Sequence, residues 1–136
     1  MARIAKQPGA KPGGKGVLRI IGGTWRSRRL AFPERPGLRP TPDRVRETVF
    51  NWLAPYLPGA ACLDLFAGSG AFGFEALSRA AARAVLVEKR LEVVAALRLN
   101  REQLKAGQAE VVHADAVEYL RGPAAAFDIV FLDPPY

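Results

Sequence analysis

The last four residues of the chain, Asp133-Pro134-Pro135-Tyr136, combine an acid, two prolines and an aromatic ring. Proline has a fixed φ and no backbone N–H, so the chain here is stiff and its carbonyls are free to accept hydrogen bonds. A planar amine, such as the exocyclic amino group of a base, could donate to the Asp133 carboxylate and the Pro134 carbonyl while Tyr136 stacks on the ring. Two acceptors would align the delocalised lone pair and stabilise the positive charge that develops on attack. The motif predicts transfer chemistry at a base amino group, and the alternative is a proline-rich turn after a strand.

A second motif, Gly68-Ser69-Gly70-Ala71-Phe72-Gly73, follows an apolar stretch and satisfies the pattern G-x-G-x-x-G. Without a Cβ on its glycines, such a turn lets a ligand lie against the backbone, and the amides that open the next helix can face the ligand's polar groups. Glu88 ends the next apolar run, where a ribose-binding acid is expected, so the motif alone would suit NAD. Asp64 precedes the turn and would repel a pyrophosphate but attract a cationic ligand. A role for Asp64 in capping the turn is equally compatible.

Acidic residues stand at or just beyond the carboxyl ends of four predicted strands: Asp64, Glu88, Asp115 and Asp133. Because parallel strands end at one edge of a sheet, we expect the four carboxylates to line one crevice. Glu88 is placed to accept hydrogen bonds from ribose hydroxyls, and Asp115 could meet an adenine amino group. For any single one of them, a helix cap or a surface charge is the alternative.

The elements that must position these residues alternate along the chain. Short apolar runs predict strands over 61–66, 84–87, 109–113 and 128–132, and helical patterns fall over 71–81, 91–105 and 116–120. Strands that alternate with helices form βαβ units, so the chain is predicted to be an α/β protein with a parallel sheet.

The front of the chain has its own pattern. Residues 17–21 and 25–32 are strand-like, and Gly22-Gly23 between them predicts a β-hairpin. Trp25 lies beside Arg26, Arg28 and Arg29, a combination of planar cations and an aromatic face that suits phosphates and unstacked bases. Packing of Trp25 against the main domain is an equally weighted and compatible alternative.

A helix is predicted to follow, with Thr41 as its N-cap, Pro42 at its first position and its end near Ala54. Residues that recur at helical spacing predict a stripe that faces the core: Val45, Thr48, Val49, Trp52 and Leu53. Arg44 and Arg46 lie off this stripe, which predicts that they extend the basic surface.

Charge is divided unevenly along the 136 residues. Residues 1–46 contain 12 Lys or Arg and two acids, whereas residues 47–136 contain 8 Lys or Arg and 11 acids. A basic front on a mildly acidic body predicts a polyanionic partner, most simply nucleic acid. Residues 1–16 are expected to be a basic flexible tail. The length suits one domain, and the sequence shows no bilayer-spanning run and no signal peptide, so a monomer in the cytoplasm is expected. Cys62 is the only cysteine, so neither an intrachain disulfide nor a metal site is expected.

Several motifs together resemble a known family. The stretch 64–70 with the final Asp-Pro-Pro-Tyr motif resembles S-adenosylmethionine-dependent amino-methyltransferases, and the stretches 19–26, 38–47 and 50–53 are similar to the bacterial 16S ribosomal RNA guanine-N2 methyltransferase D family. The resemblance covers residues 17–136. It implies a Rossmann-like class I methyltransferase domain, with an N-terminal hairpin and helix over 17–54 and a Rossmann-like part over 60–136. It also implies that S-adenosylmethionine is the cofactor and that one guanine of 16S rRNA, within the small ribosomal subunit, is the substrate.

The resemblance also implies site residues. A target-base site is expected at Asp133, Pro134 and Tyr136. The cofactor site is expected at Thr41, Asp64, Phe66, Ala67, Gly68, Ser69, Gly70, Glu88, Asp115 and Ala116. RNA contacts are expected from Arg19, Trp25, Arg26, Arg28, Arg29, Arg39 and Arg44. On this interpretation the methyl group passes directly to guanine N2, without a covalent enzyme intermediate.

Members of that family continue past the Asp-Pro-Pro-aromatic motif with further strands and helices, whereas this chain stops at Tyr136. We therefore expect an incomplete domain, with weak stability and little activity for the 136 residues alone. Two further classes of function stay open, an NAD-dependent oxidoreductase and a non-catalytic RNA-binding or assembly module. A DNA adenine-N6 methyltransferase is a near neighbour of the first interpretation.

Overall fold

The computed structural model describes residues 14–123 and 125–134. Its strands are β1 (Lys15–Arg19), β2 (Arg29–Pro33), β3 (Ala61–Asp64), β4 (Arg83–Glu88), β5 (Ala109–His113) and β6 (Ile129–Phe131). Its α-helices are α1 (Asp43–Leu53), α2 (Ala71–Ser78), α3 (Leu91–Leu104) and α4 (Ala116–Leu120), and a short 3₁₀ helix, Ala54–Tyr56, follows α1.

The main sheet has four strands in the order β5-β4-β3-β6, and every neighbouring pair is parallel. Alternate residues of its strands face opposite sides, so the sheet is covered twice. On one side Cys62, Ala84 and Leu86 pack with α1, α2, α3 and the hairpin. On the other side Leu63 and Val85 pack near α4. The predicted α/β class with a parallel sheet is confirmed.

The N-terminal hairpin is also confirmed, although its turn is not where the sequence predicts it. β1 and β2 pair antiparallel from Lys15 with Pro33 to Arg19 with Arg29, and residues 20–28 connect them. The hydrogen-bonded turn starts at Gly23, where the Arg26 N–H donates to the Gly23 carbonyl at 3.2 Å, and α2 holds the residues just before it. The N–H groups of Ile21 and Gly22 each donate to the Glu75 carboxylate at 2.9 Å, and the Thr24 N–H donates to the Ser78 carbonyl at 2.8 Å.

Helix α1 corrects two predictions. Its N-cap position is Pro42, with no side-chain capping bond, so Thr41 is not the cap. Its buried residues are Arg46 and Phe50, whereas Val45 is 48% exposed and Trp52 is 73% exposed. Of the predicted stripe, Leu53 packs against the core and Val49 is half-buried, whereas Thr48 is exposed like Val45 and Trp52. The stripe was therefore wrong in part, because the face with Arg46 and Phe50 is the one turned inward.

Candidate functional site

A cavity of about 440 Å³ opens at the carboxyl edge of the parallel sheet, where ligands of open α/β sheets bind. Five stretches line it, from the loop before α1, from the glycine turn after β3, from the end of β4, from the end of β5, and from the residues after β6. Among the cavity residues are Thr41, Phe66, Ala67, Gly68, Ser69, Glu88, Asp115, Ala116, Asp133 and Pro134. Most of the expected cofactor and base residues thus meet at one place.

The glycine turn forms the floor of this cavity. Gly68 has φ of 53° and Gly70 has φ of 86°, left-handed values that favour glycine over residues with a Cβ. Gly70 is the N-cap position of α2, and its N–H donates to the Ala67 carbonyl at 2.8 Å. A Cβ on Gly68 would lie 2.9 Å from Leu38 Cδ1, so the loop before α1 packs directly over the turn.

Both carboxylate oxygens of Glu88 accept hydrogen bonds from other residues of the chain. Its Oε1 accepts the Gly68 N–H at 3.0 Å, and its Oε2 accepts from the Arg90 N–H and Nε, each at 3.0 Å. The residue is only 5% exposed, yet it lines the cavity. Because a carboxylate has about four lone-pair sites, Glu88 keeps acceptor capacity for a ligand hydroxyl. The bonds to Gly68 and Arg90 fix its orientation.

Asp115 occupies the next strand end and caps α4, where its Oδ2 accepts the Val117 N–H at 3.1 Å. It lines the cavity together with Ala116. Asp115 is therefore a helix cap, which was the alternative to a ligand-binding role. The cap uses one carboxylate oxygen and leaves the other free to accept a hydrogen bond from a ligand.

Asp133 lies at the mouth of the cavity, two residues after the end of β6. The Thr41 hydroxyl donates to its Oδ2 at 2.9 Å, which ties the loop before α1 to the final motif. Pro134 also lines the cavity. Tyr136, the third residue of the expected target-base site, lies outside the described residues.

Asp64 differs from the other three acids. It is 1% exposed and is absent from the cavity wall, so three of the four carboxylates line the crevice rather than the four predicted. Burial raises the pKa of Asp64 to about 7, and the charges of Asp133 and Glu88 add to the increase. The N–H groups of Gly73 and Phe66 lower this pKa but do not reach hydrogen-bonding geometry, since both carboxylate oxygens lack a partner within the described residues.

The residues predicted to contact RNA fall into three groups. Arg26, Arg29 and Arg44 are exposed, and Arg39 is exposed on the cavity wall. Arg19 pairs with Asp43 at 3.2 Å, and Arg28 donates to the Gln103 carbonyl at 3.1 Å. Trp25 is half-buried and packs against the core, in agreement with the packing alternative for this residue.

Arg46 contradicts the prediction that it extends the basic surface. It is 1% exposed and lies within hydrogen-bonding distance of Glu75, which is fully buried on α2, so it adds nothing to the basic surface. Sequence inspection passed over Glu75 because an acid in a helix is normally solvated. It also passed over Lys89 and Arg90, which line the cavity after Glu88.

Two absences were found within residues 14–123 and 125–134. No group of three or more His, Cys, Asp or Glu side chains is arranged to hold a metal ion. No helix in these ranges is long and apolar enough to cross a membrane.

Comparison with known proteins gives a consistent result. The family described as conserved hypothetical protein 95 matches residues 18–136. The chain is 56% identical over 123 residues to the ribosomal RNA small subunit methyltransferase D of Escherichia coli strain K12. That alignment covers 90% of this chain and 62% of the relative, so the chain spans about three fifths of the relative's length.

Two solved structures are also similar. A structure from E. coli, named yhhF, superposes with a TM-score of 0.83 at 55% identity and covers 89% of this chain and 66% of that one. The 16S rRNA N2 G1207 methyltransferase of T. thermophilus, in complex with AdoMet and guanosine, has a TM-score of 0.67 at 28% identity. That match covers 93% of this chain and 34% of that one. The fold is that of a Rossmann-like class I methyltransferase.

Proposed function

The chain belongs to the family of conserved hypothetical protein 95 and of ribosomal RNA small subunit methyltransferase D, and we propose that it transfers a methyl group from S-adenosylmethionine to guanine N2 in 16S rRNA. The observation that carries the proposal is the position of Asp133 at the mouth of a cavity whose floor is the glycine turn and whose wall contains Glu88. The acid that could accept hydrogen bonds from an amine and the turn that could bind a nucleoside thus line the same cavity.

The cavity residues fit S-adenosylmethionine. The turn at Gly68 brings backbone close to the ligand space, and Glu88 offers carboxylate oxygens to ribose hydroxyls. Asp115 and Ala116 would contact the adenine. When bound, the cofactor supplies an electrophilic methyl group on a sulfonium. Asp64, beneath the turn, would act on this cation only through its field, because its side chain does not reach the cavity wall.

The target amine would be held by the final motif. The Asp133 carboxylate accepts one hydrogen bond from Thr41 and has acceptor capacity for the N2 amino group, and the Pro134 carbonyl offers a second acceptor. Two acceptors orient the amine lone pair and stabilise the positive charge that grows on nitrogen during transfer. We assign base stacking to Tyr136 from the sequence motif.

The substrate class is supported by charge and by relatives. Arg26, Arg29 and Arg44 are exposed on the hairpin and α1, and exposed Arg39 lines the cavity. The relative in E. coli is a ribosomal RNA small subunit methyltransferase, and the T. thermophilus structure is a 16S rRNA N2 methyltransferase bound to guanosine. We infer that the partner is the small ribosomal subunit, that the chain works in the cytoplasm, and that it acts as a monomer.

The test is transfer of radiolabelled methyl from S-adenosylmethionine to small ribosomal subunits that lack native modification. We would use this chain, a version extended past Tyr136, and the E. coli relative as a positive control. Label on guanine N2, identified by nuclease digestion and chromatography, is the expected result from the extended chain, with weaker transfer by the 136 residues. In a parallel reaction with DNA as the acceptor, label on adenine N6, with none on guanine N2 of the subunits, would assign the neighbouring amine chemistry.

Two outcomes would overturn the proposal. RNA affinity without methyl transfer by either form, while the E. coli relative labels the same subunits, would leave a non-catalytic RNA-binding module. A rise in melting temperature with NAD and none with S-adenosylmethionine would favour an oxidoreductase.

A further inference from the structure

A buried ion pair joins α1 to α2 beside the candidate site. Arg46 Nη1 lies 3.4 Å from Glu75 Oε1, and the two side chains are 1% and 0% exposed. Glu75 also accepts the Ile21 and Gly22 N–H groups and the Arg79 Nε at 2.8 Å. Breaking a buried pair on one side is costly because it leaves a charge without compensation. The position of the Arg46 guanidinium is therefore closely fixed.

The same guanidinium reaches towards the cavity. Its Nε donates to the Thr41 carbonyl at 3.2 Å, and its Nη2 donates to the Arg19 carbonyl at 3.1 Å and to Asp43 Oδ1 at 2.6 Å. Thr41 in turn donates its hydroxyl to Asp133 Oδ2 at 2.9 Å. An unbroken series of hydrogen bonds thus runs from buried Glu75 through Arg46 and Thr41 to the acid of the final motif.

We propose that Arg46, held by Glu75, is a positioning residue that fixes Thr41 against Asp133 and so orients the carboxylate that accepts the target amine. The inference rests on the proposed function of that site. Arg46 acts through Thr41 and does not itself line the cavity. Thr41 lies in the loop before α1, where the Arg46 bond to its carbonyl and its own bond to Asp133 restrain it from two sides.

The role needs arginine specifically. The planar guanidinium presents five donors in a fixed fork, and here they reach Glu75, Asp43 and two backbone carbonyls in different directions. A lysine in the same place keeps the charge for Glu75, but its single ammonium group does not span these partners. Arg46→Lys therefore separates the positioning role from the need to neutralise Glu75.

The experiment is a double-mutant cycle between Arg46→Lys and Thr41→Val, with Ser78→Ala as the control. The Ser78 hydroxyl holds the same N-terminal segment to α2, through the Gly22 carbonyl at 2.6 Å and the Trp25 N–H at 2.9 Å, without touching Arg46 or Thr41. Each variant is measured for melting temperature, for the kcat and KM of methyl transfer, and for the carboxyl carbon resonance of Asp133.

Each single variant in the cycle is expected to lower kcat about tenfold with a change in RNA KM of about threefold or less, because one oriented hydrogen bond is lost. The double variant should be no slower than Thr41→Val alone, and the Asp133 resonance should move in Arg46→Lys as it does in Thr41→Val. Ser78→Ala should lower the melting temperature and leave kcat and the resonance unchanged.

The inference is overturned if the effects of the two variants on kcat multiply, or if Arg46→Lys leaves the Asp133 resonance unshifted. Arg46 would then be a structural residue. If neither the wild-type chain nor its version extended past Tyr136 transfers a methyl group, the proposed function fails separately, because the Asp133 resonance still reports whether Arg46 controls the contact.

Discussion

The Thr41 hydroxyl donates a hydrogen bond of 2.9 Å to Asp133 Oδ2, across 92 positions of sequence. This single contact connects the loop that precedes α1 with the acid that follows the last strand. Both residues line the cavity, and the contact leaves the other oxygen of Asp133 for a ligand.

Asp133→Asn is expected to reduce methyl transfer more than about 100-fold, because a neutral amide does not stabilise the positive charge that grows on the target nitrogen. Affinity for S-adenosylmethionine, measured by titration calorimetry, should change little. Asp128→Asn is the matched control, since Asp128 lies just before the same strand and accepts the Ala61 N–H at 2.8 Å, a bond that an amide oxygen can keep. Equal loss in both variants would show that the effect is general to β6.

Gly68→Ala is expected to weaken cofactor affinity about tenfold or more, because its Cβ would displace Leu38 over the turn. Gly59→Ala is the control, since Gly59 also has a left-handed φ of 77° but its Cβ would meet nothing within 4 Å. Both variants should lose about 1 kcal/mol of unfolding free energy from backbone strain. Only Gly68→Ala should bind the cofactor less tightly, and equal binding by both would contradict the position given to this turn.

Asp64→Asn should change how stability depends on pH. The pKa of Asp64 is about 7 in the folded chain against an ordinary value of 3.8, so in the pH range between these values the folded state binds a proton that the unfolded state has released. Its contribution to stability is complete below about pH 4 and is lost as the pH rises through 7.

The size of this effect is at most about 4 kcal/mol, from the shift of about three pKa units. Urea unfolding at about pH 5 and about pH 8 checks it. The free energy of unfolding of the wild type should fall relative to Asp64→Asn as the pH rises between these values. A constant difference between the two proteins would show that Asp64 is ionised when folded. Asp128→Asn, at an exposed position, serves as the control.

Arg26→Gln combined with Arg29→Gln should weaken RNA binding and reduce the slope of log K against log salt by about two, because each exposed arginine is proposed to contact one phosphate. Filter binding over a range of salt concentrations measures the slope. Arg83→Gln is the control, since Arg83 is the first residue of β4 and lies at the amino end of the strands, away from the cavity at their carboxyl ends. The same slope for wild type and double variant would remove these two arginines from the RNA surface.

Glu75→Gln should lower the free energy of unfolding by about 3 kcal/mol, because buried Arg46 would lose its buried carboxylate and keep only the half-exposed Asp43 as an acidic partner. Adding Arg46→Gln to this variant should recover part of the loss, since neither charge is then present. Chemical denaturation measures both, with exposed Glu110→Gln as the control. Glu75→Gln with wild-type stability would contradict the description of this pair as mutually compensating.

The parallel sheet and the glycine turn follow from local sequence. Short strands that alternate with helices form a parallel sheet in only a few topologies. The bounds of β5 and α4 are those that the sequence predicts. The strand ends were predictable for the same reason. Glu88, Asp115 and Asp133 lie at or just beyond those ends, and they line one cavity. The methyltransferase D resemblance, based on the stretches 19–26, 38–47 and 50–53 together with the motifs at two of these strand ends, is confirmed.

Other features depend on contacts between distant parts of the chain. Gly22-Gly23 is a strong local turn signal, yet α2 captures the neighbouring amides and shifts the turn. Thr41 is a good N-cap by type, yet its hydroxyl bonds Asp133 instead. Helical periodicity assigns charged residues to the surface, so it could not place Arg46 inside.

The sequence by itself determined the class of fold, the place of the ligand turn and the acids at the strand ends, because these depend on apolar patterning and chain order. Only the tertiary structure decided that Asp64 lies beneath the turn without a partner, that Arg46 is buried against Glu75, and that Thr41 reaches Asp133. The physical reason is that the burial of a polar side chain depends on the partner it meets, and here those partners come from elements far apart in sequence.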